Sequence, residues 1–307
     1  MNSIPERQNA EAQLRLLRAR QQTYAEASGL LVVQLALTVA IPVVTAIAGL
    51  FTPGVRPYAA ALALLLTVAD VAFLDRLQRQ KLRLAAKIAE AFDEQVLEIP
   101  WNKFVAAKRA DPEAIAGAAA AWARGKSDEK LVDWYPPAVG KAPMHLARII
   151  CQRTNLWYDA TLRRHYGDWV RGVGGLLVVA LFFGALFAGL TVELFVTTVL
   201  APAAPVLTWS MREYFRQKDT AEAQETLKSD AEALWDRAKA GQCEEAECLA
   251  QSRKFQNAIY TRRSNSPLIL PWLYPWRRPA MERQMNRGAE AYLKEIGSYA
   301  VKWVTAA

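Results

Sequence analysis

The sequence predicts an all-α membrane protein, with four transmembrane helices arranged as two hairpins and a cytoplasmic helical body. Three observations predict it. Four nearly uncharged apolar stretches fall in two tight pairs, Gly29–Phe51 with Tyr58–Leu74 and Gly172–Leu190 with Leu194–Met211. Of the 38 Lys and Arg residues, 37 lie in the segments on one side of those pairs. The rest of the chain keeps helical spacing of its apolar residues and shows no strand alternation longer than a few residues.

Residues 1–28 read as a cytoplasmic N-terminal helix. From 6 to 28, Leu14, Leu17 and Tyr24 recur among Arg, Gln and Glu, and the helix runs straight into the first span. Residues 29–75 form the first hairpin. A span needs about 20 apolar residues to cross about 30 Å of hydrocarbon. Gly29–Phe51 supplies 23 with no charge, and Gln34 is its one strongly polar side chain. Phe51–Pro57, with Pro53, Gly54 and Pro57, reads as the turn. Tyr58–Leu74 is shorter and carries Asp70 about one turn from the cytoplasmic end, where it either snorkels or pairs with Arg76. Ala46-Ile47-Ala48 resembles a cleavage site, but 28 mixed-charge residues precede this apolar run, against the short basic stretch of a signal peptide.

Residues 76–171 are a cytoplasmic helical region. Leu77, Leu84, Ile88 and Phe92 continue the second membrane helix as a stalk, followed by an Ala-rich helix at 110–125. Asp133-Trp134-Tyr135-Pro136-Pro137 is an extended joint, and a helix at 144–169 leads into the third span. Residues 172–211 are the second hairpin, with one charge, Glu193, in 40 residues. As a single helix they would be about 60 Å long, twice the bilayer. They must fold back, and Thr191-Val192-Glu193 is the polar place to do so. Residues 212–307 are the C-terminal helical region: a helix at 212–240 ended by Gly241, another at 244–262, the Pro- and Trp-rich stretch Ser264–Pro279, and a last helix near 280–297. Neither long cytoplasmic piece is expected to fold alone, so the two should pack as one body below the membrane.

Charge sets the orientation. Residues 1–28 hold 4 Lys/Arg, 76–171 hold 17 and 212–307 hold 16, whereas the two outer turns hold only Arg56. The positive-inside bias therefore places both termini and the 76–171 segment in the cytoplasm. The net charge of +8 suits either anionic lipid heads or an anionic ligand. Cys151, Cys243 and Cys248 lack zinc-type spacing and read as reduced thiols packed as small apolar groups.

Enzyme signatures are nearly absent: two distant histidines, His145 and His165, with no phosphate-cradling Gly loop, no nucleophile elbow and no metal-type carboxylate cluster. The reading is non-catalytic, without metal or cofactor. On the 144–169 helix, Arg148, Gln152, Asn155, Asp159, Arg163 and Tyr166 share one narrow arc, and Arg153, Trp157 and Arg164 another. Such a stripe, lacking the Lys and Glu of a solvated face, is either an interhelical polar network or a pocket wall. In a wall, Arg would grip phosphate and Asn, Gln and Asp would read base edges. Arg262, Arg263 and Ser264 near the end of the next-to-last helix suit an anion, or complement that helix's dipole. The candidate ligand-binding set is Arg148, Gln152, Arg153, Asn155, Trp157, Tyr158, Asp159, Arg163, Arg262, Arg263 and Ser264, with Trp101 another stacking candidate. In the membrane, Ala180, Gly184 and Ala188 recur at the small-residue spacing that lets helices approach. Pro202 and Pro205 break the fourth span, and Thr197, Ala201, Ala204 and Thr208 share a face there. Thr197, Ala201, Pro202, Pro205 and Thr208 are the pore-lining or gating candidates, a kink for packing being the alternative.

Longer stretches carry a resemblance. Ile4–Asn9, Ile99-Pro100-Trp101-Asn102, Asp133–Val139, Ala147–Arg164 (ARIICQRTNLWYDATLRR), Tyr260–Leu268 (YTRRSNSPL) and Glu282–Gly288 (ERQMNRG) resemble, in order, the SMODS-associated four-transmembrane effectors of bacterial CBASS anti-phage defence. The resemblance runs from about residue 4 to about 293. Pro271 departs from an acidic residue often found before the Trp in that family. The resemblance implies that the cytoplasmic body is a sensor. Its partner would be a cyclic di- or trinucleotide made by a cognate cGAS/DncV-like nucleotidyltransferase, and no nucleic acid polymer. It further implies an inner-membrane effector that disrupts the lipid bilayer and causes abortive infection. Four spans are too few for a roomy pore, so a homo-oligomer is expected. The alternative is a membrane-anchored sensor or scaffold that recruits a partner and forms no pore; the bare spans disfavour a transporter.

Overall fold

In the computed structural model, residues 1–41, 44, 52, 54 and 56–306 are described, and every regular element among them is helical. The end of the first apolar stretch, residues 51, 53 and 55 of the Phe51–Pro57 turn and Ala46-Ile47-Ala48 lie outside the described residues. A short helix α1 (Ile4–Gln8) precedes α2 (Glu11–Leu35), which continues through a wider π-turn at Ala36–Ala40. The expected unbroken N-terminal helix is thus interrupted at Asn9-Ala10, where the Asn9 side chain bonds Pro5 O and Asp133 instead.

Helix α3 (Arg56–Ala69) passes through a π-turn at Asp70–Leu74 into α4 (Asp75–Leu97), so membrane segment and stalk are one rod. Glu98, in the left-handed region at φ 52°, ends it. The one-turn α5 (Lys103–Ala106) and α6 (Pro112–Ala123) follow, and a 3₁₀ turn over Pro137–Lys141 leads to α7 (Met144–Phe187). Gly189 at φ 63° turns the chain after α7. Threonine 191 then caps α8 (Val192–Phe195) through its side chain, and a π-turn at Val196–Leu200 joins α8 to α9 (Ala201–Lys239). Pro202 and Pro205 each remove a backbone donor there, which suits the widened turn just before them.

Gly241, at φ 71°, separates α9 from α10 (Glu245–Asn265). Helix α11 (Leu273–Ala306) starts within the Pro- and Trp-rich stretch rather than near 280. Pro275 falls in its first turn, where the missing N–H has no partner to lose, and Pro279 lies inside it.

The main core draws on all three non-membrane segments. Leu16, Leu17, Ile88, Phe92, Leu131, Tyr135, Ile149, Ile150, Trp235 and Ala289 are buried in one cluster. The three cysteines are buried as well, with the Cys248 and Cys243 thiols in contact at 2.8 Å. The apolar segments behave in the opposite way. Val32 and Val33 on α2, Leu64, Leu65 and Val68 on α3, Leu176, Phe182, Phe183 and Phe187 on α7, and Val192 and Leu194 on α8 are all exposed. Among the described residues, two helices are long and apolar enough to cross a membrane, Glu11–Ala40 and Met144–Phe187. The apolar part of each is only 11% buried, unlike the mostly buried core helix of a soluble protein, and the N-terminal half of α2 is sunk into the core.

Helices α7 and α9 pack along much of their length. At Gly174 they approach so closely that an added Cβ would lie 3.2 Å from Ser210 Cβ. Ala180, Gly184 and Ala188 instead face outward, and Gly184 has open space around it. Asp70 is buried and accepts from Gln34 Nε2 at 3.1 Å, rather than reaching the interface or Arg76. About three turns further along, Lys81 pairs with Glu26 at 2.6 Å and ties α4 to α2.

Candidate functional site

At Arg148, Gln152, Asp159 and Arg163 the polar stripe of α7 meets partners from other parts of the chain, and so does Arg153 on the neighbouring arc. Arg148 donates from Nε to Leu97 O at 2.7 Å and reaches Glu98 O, so it caps the carbonyls left open where α4 ends. Burial pushes its guanidinium pKa down. Gln152 Nε2 donates to Ser252 O and Gln256 Oε1 on α10. Arg153 pairs with Glu232 on α9 at 2.8 Å and lies over the Tyr292 ring. Arg163 donates to Asp159 at 2.8 Å, to Gln217 on α9 and to Pro267 O beyond α10. Asp159 also accepts from Gln224. Trp157 and Tyr158 meet edge to face. Among the described residues, Asn155 Nδ2 is buried with no hydrogen-bond partner, and burial drives the Tyr158 pKa well up.

The stripe feeds a buried network that sequence reasoning did not find. Asp93 on α4 accepts from Tyr135 OH at 2.6 Å, Gln256 Nε2 at 2.8 Å and Arg263 Nη1 at 2.5 Å. Glu90, one turn earlier, accepts from Arg253 at 2.6 Å and Gln256 at 2.9 Å. Burial raises the Glu90 pKa despite the opposing pull of Arg253. Burial also works against the Arg263 cation, but Asp93 beside it prevails and holds it charged. The one signal available from sequence was two acids, three residues apart, on an apolar helix face.

The end of α10 divides its work. Arg263 and Ser264 turn inward, the Ser264 hydroxyl donating to Thr261 O. Arg262 turns to an open groove of about 720 Å³ between α9 and α10. Lys254, Asn257, Thr261 and Asn265 share that wall with it at helical spacing; Thr220 and Thr226 of α9 stand opposite, and Val105 of α5 lies at the edge. Among the described residues no carboxylate lines the groove, and neither Lys254 nor Arg262 has an ion-pair partner. The 3/4 spacing of Lys254, Asn257, Thr261 and Asn265, with Arg262 beside it, was the missed signal. Of the gating candidates, Thr197, Ala201, Pro205 and Thr208 are exposed on the outer face of α8–α9, with Thr197 Oγ1 bonded back to Glu193 O; the Pro202 side chain lies outside the described ones.

An apolar helical girdle continuous with a polar, arginine-rich helical body defines a membrane protein that carries a non-membrane domain on its own spans. Residues 2–292 match the SMODS-associating 4TM effector domain, and the chain belongs to that family. It is similar to a probable CBASS effector molecule of Bacillus cereus (strain VD146), at 25% identity over 287 residues, 91% of this chain and 95% of the relative. No solved structure matches.

Proposed function

We propose that this protein is a cyclic-oligonucleotide-activated inner-membrane effector of CBASS anti-phage defence, which permeabilises the membrane and aborts infection. The observation that carries the reading is the girdle. Exposed apolar side chains concentrate on four helical segments, and each segment is continuous with a helix of the buried-core body. Such a surface is stable only in lipid. Segments 29–51, 58–74, 172–190 and 194–211 would cross as two hairpins, with both termini cytoplasmic.

The body would bind a cyclic di- or trinucleotide supplied by a cognate nucleotidyltransferase, without enzymatic chemistry of its own. Arg262 is the member of the candidate set whose side chain is open to a ligand. Arg148, Gln152, Arg153, Asp159, Arg163 and Arg263 would set the geometry around it, with Asn155, Trp157, Tyr158 and Ser264 behind. Binding must favour one arrangement of the body over another, since affinity without that difference shifts nothing. The rods α3–α4, α7 and α8–α9 would carry the change into the bilayer. Thr197, Ala201, Pro202, Pro205 and Thr208 would line a pore only when several copies bring their outer faces together.

The test is co-expression with a constitutively active nucleotidyltransferase in bacteria carrying a membrane-potential dye. Depolarisation that requires both proteins is expected. A growth defect with the potential intact would favour the scaffold that recruits a partner, and no response to any synthase would remove the reading.

A further inference from the structure

The groove between α9 and α10 has the chemistry of a phosphodiester site. On α10, Lys254, Asn257, Thr261, Arg262 and Asn265 recur at three- and four-residue spacing, so they form one continuous polar face two to three turns long. That face is opposite the one holding Ser252, Gln256 and Arg263, which is locked into the core. Most arginines of the body already meet a carboxylate or a backbone carbonyl, as Arg18, Arg153, Arg163, Arg253 and Arg263 do. Lys254 and Arg262 do not, and both line a groove in which hydroxyls and amides replace acids. Lys254 and Arg262 stand eight residues apart on one helix, about 12 Å along its axis, so a ligand that engages both must present more than one anionic group. A bound anion would also accept from Thr261, whereas the Thr220 hydroxyl across the groove already donates to Arg216 O at 2.8 Å.

An exposed aromatic ring, with Lys103 Nζ 5.7 Å from its centroid, stands next in sequence to the groove-edge residue Val105. Phe104 is 91% exposed beside Val105 at the groove edge, on a turn pinned to α10 by Asn102 Nδ2 donating to Asn257 Oδ1 at 3.2 Å. Exposed aromatic rings next to a basic groove are how proteins stack bases while gripping the backbone. Lipid phosphate is the other source of this chemistry, but Thr220 lies nine residues beyond Met211 in the same helix, about 14 Å along its axis from the apolar segment.

We infer that this groove is the docking site for a soluble cyclic oligonucleotide, with Lys254 and Arg262 on its phosphates and Phe104 stacking a base. The inference rests on the proposed effector function and locates its sensor. An occupant would draw α9, which runs on from the membrane, toward α10, which Glu90 and Asp93 fasten to the other membrane rod.

The test measures binding of a panel of cyclic di- and trinucleotides to the full chain in detergent, for the parent protein and for Lys254→Glu, Arg262→Glu, Phe104→Ala and the control Arg287→Glu. All four positions are at the surface, and an unchanged melting temperature verifies that each variant folds. Each charge reversal in the groove is expected to weaken the binding nucleotide about tenfold or more, Phe104→Ala to weaken it less, and Arg287→Glu to leave it unaltered. A nucleotide that binds parent and groove variants alike overturns the groove and leaves the effector reading standing. Failure of the whole panel on the parent protein overturns both. A parallel arm with phosphatidylglycerol and phosphatidylcholine vesicles separates the sources. Loss of phosphatidylglycerol binding in the groove variants, with nucleotide binding intact, would assign the groove to lipid and overturn the inference.

Discussion

At the scale of single residues, the body depends on charges that have given up water for one another. Asp93 holds Tyr135, Gln256 and Arg263 at once, so Asp93→Ala leaves a buried guanidinium and two buried polar groups without their acceptor. Breaking a buried pair in this way costs about 3–5 kcal/mol. Urea unfolding in detergent should register a loss of that size, whereas Arg287→Ala at the surface should change stability by about 0.5 kcal/mol or less. A second residue-scale prediction concerns acid. Hydrogen bonding to Arg18 holds the Asp128 carboxyl below its ordinary 3.8, across a separation of 110 residues. A lowered folded-state pKa means stability that is present above 3.8 and is lost as pH falls through the depressed value. Melting temperature followed from pH 5 downward should fall less steeply in Asp128→Asn than in the parent protein. Equal slopes would dismiss the Arg18 contact as a contributor.

At the scale of elements, helix packing in the second hairpin gives a prediction with an internal control. Gly174 faces Ser210 so closely that a Cβ alone must shift its neighbour, and the two further methyl groups of Val would overpack the α7–α9 contact. Gly174→Val should cost about 1–3 kcal/mol, and Gly184→Val, with nothing within 4 Å, should cost far less. Thermal melting in detergent compares the two directly. The elements themselves were largely legible in the sequence, because a 3.6-residue apolar period and Gly at the ends of α9 and α7 are local signals. The start of α11 was not legible, since Pro275 and Pro279 read as a break although a first-turn proline costs a helix little. The α7 stripe was legible as a stripe, but what it faces was not. Its partners Leu97, Glu232, Gln217 and Gln256 lie about 50 to 100 residues away in sequence, and only packing brings them to it. The groove was half-legible: Arg262 stood in a recognisable run, while Lys254 and Asn257 were hidden among core-facing positions.

At the scale of the whole molecule, the chain has two solvents. One core, built from segments separated by more than 200 residues, anchors helices whose outer halves expose Leu, Val and Phe. Water cannot carry that surface, and a membrane cannot carry the arginine-rich body, so the boundary between them is fixed by sequence. Because α3–α4, α7 and α8–α9 are each helical from the body into the apolar segments, the proposed function would have a change in how the body packs reach those segments through them. The most direct test reconstitutes the purified protein into dye-loaded liposomes with the body outside, then adds cyclic di- and trinucleotides to the external solution. Dye release on adding one of them, absent from protein-free liposomes and reduced in Arg262→Glu, is the predicted result. Tight nucleotide binding at the same vesicles with no release of dye would contradict it.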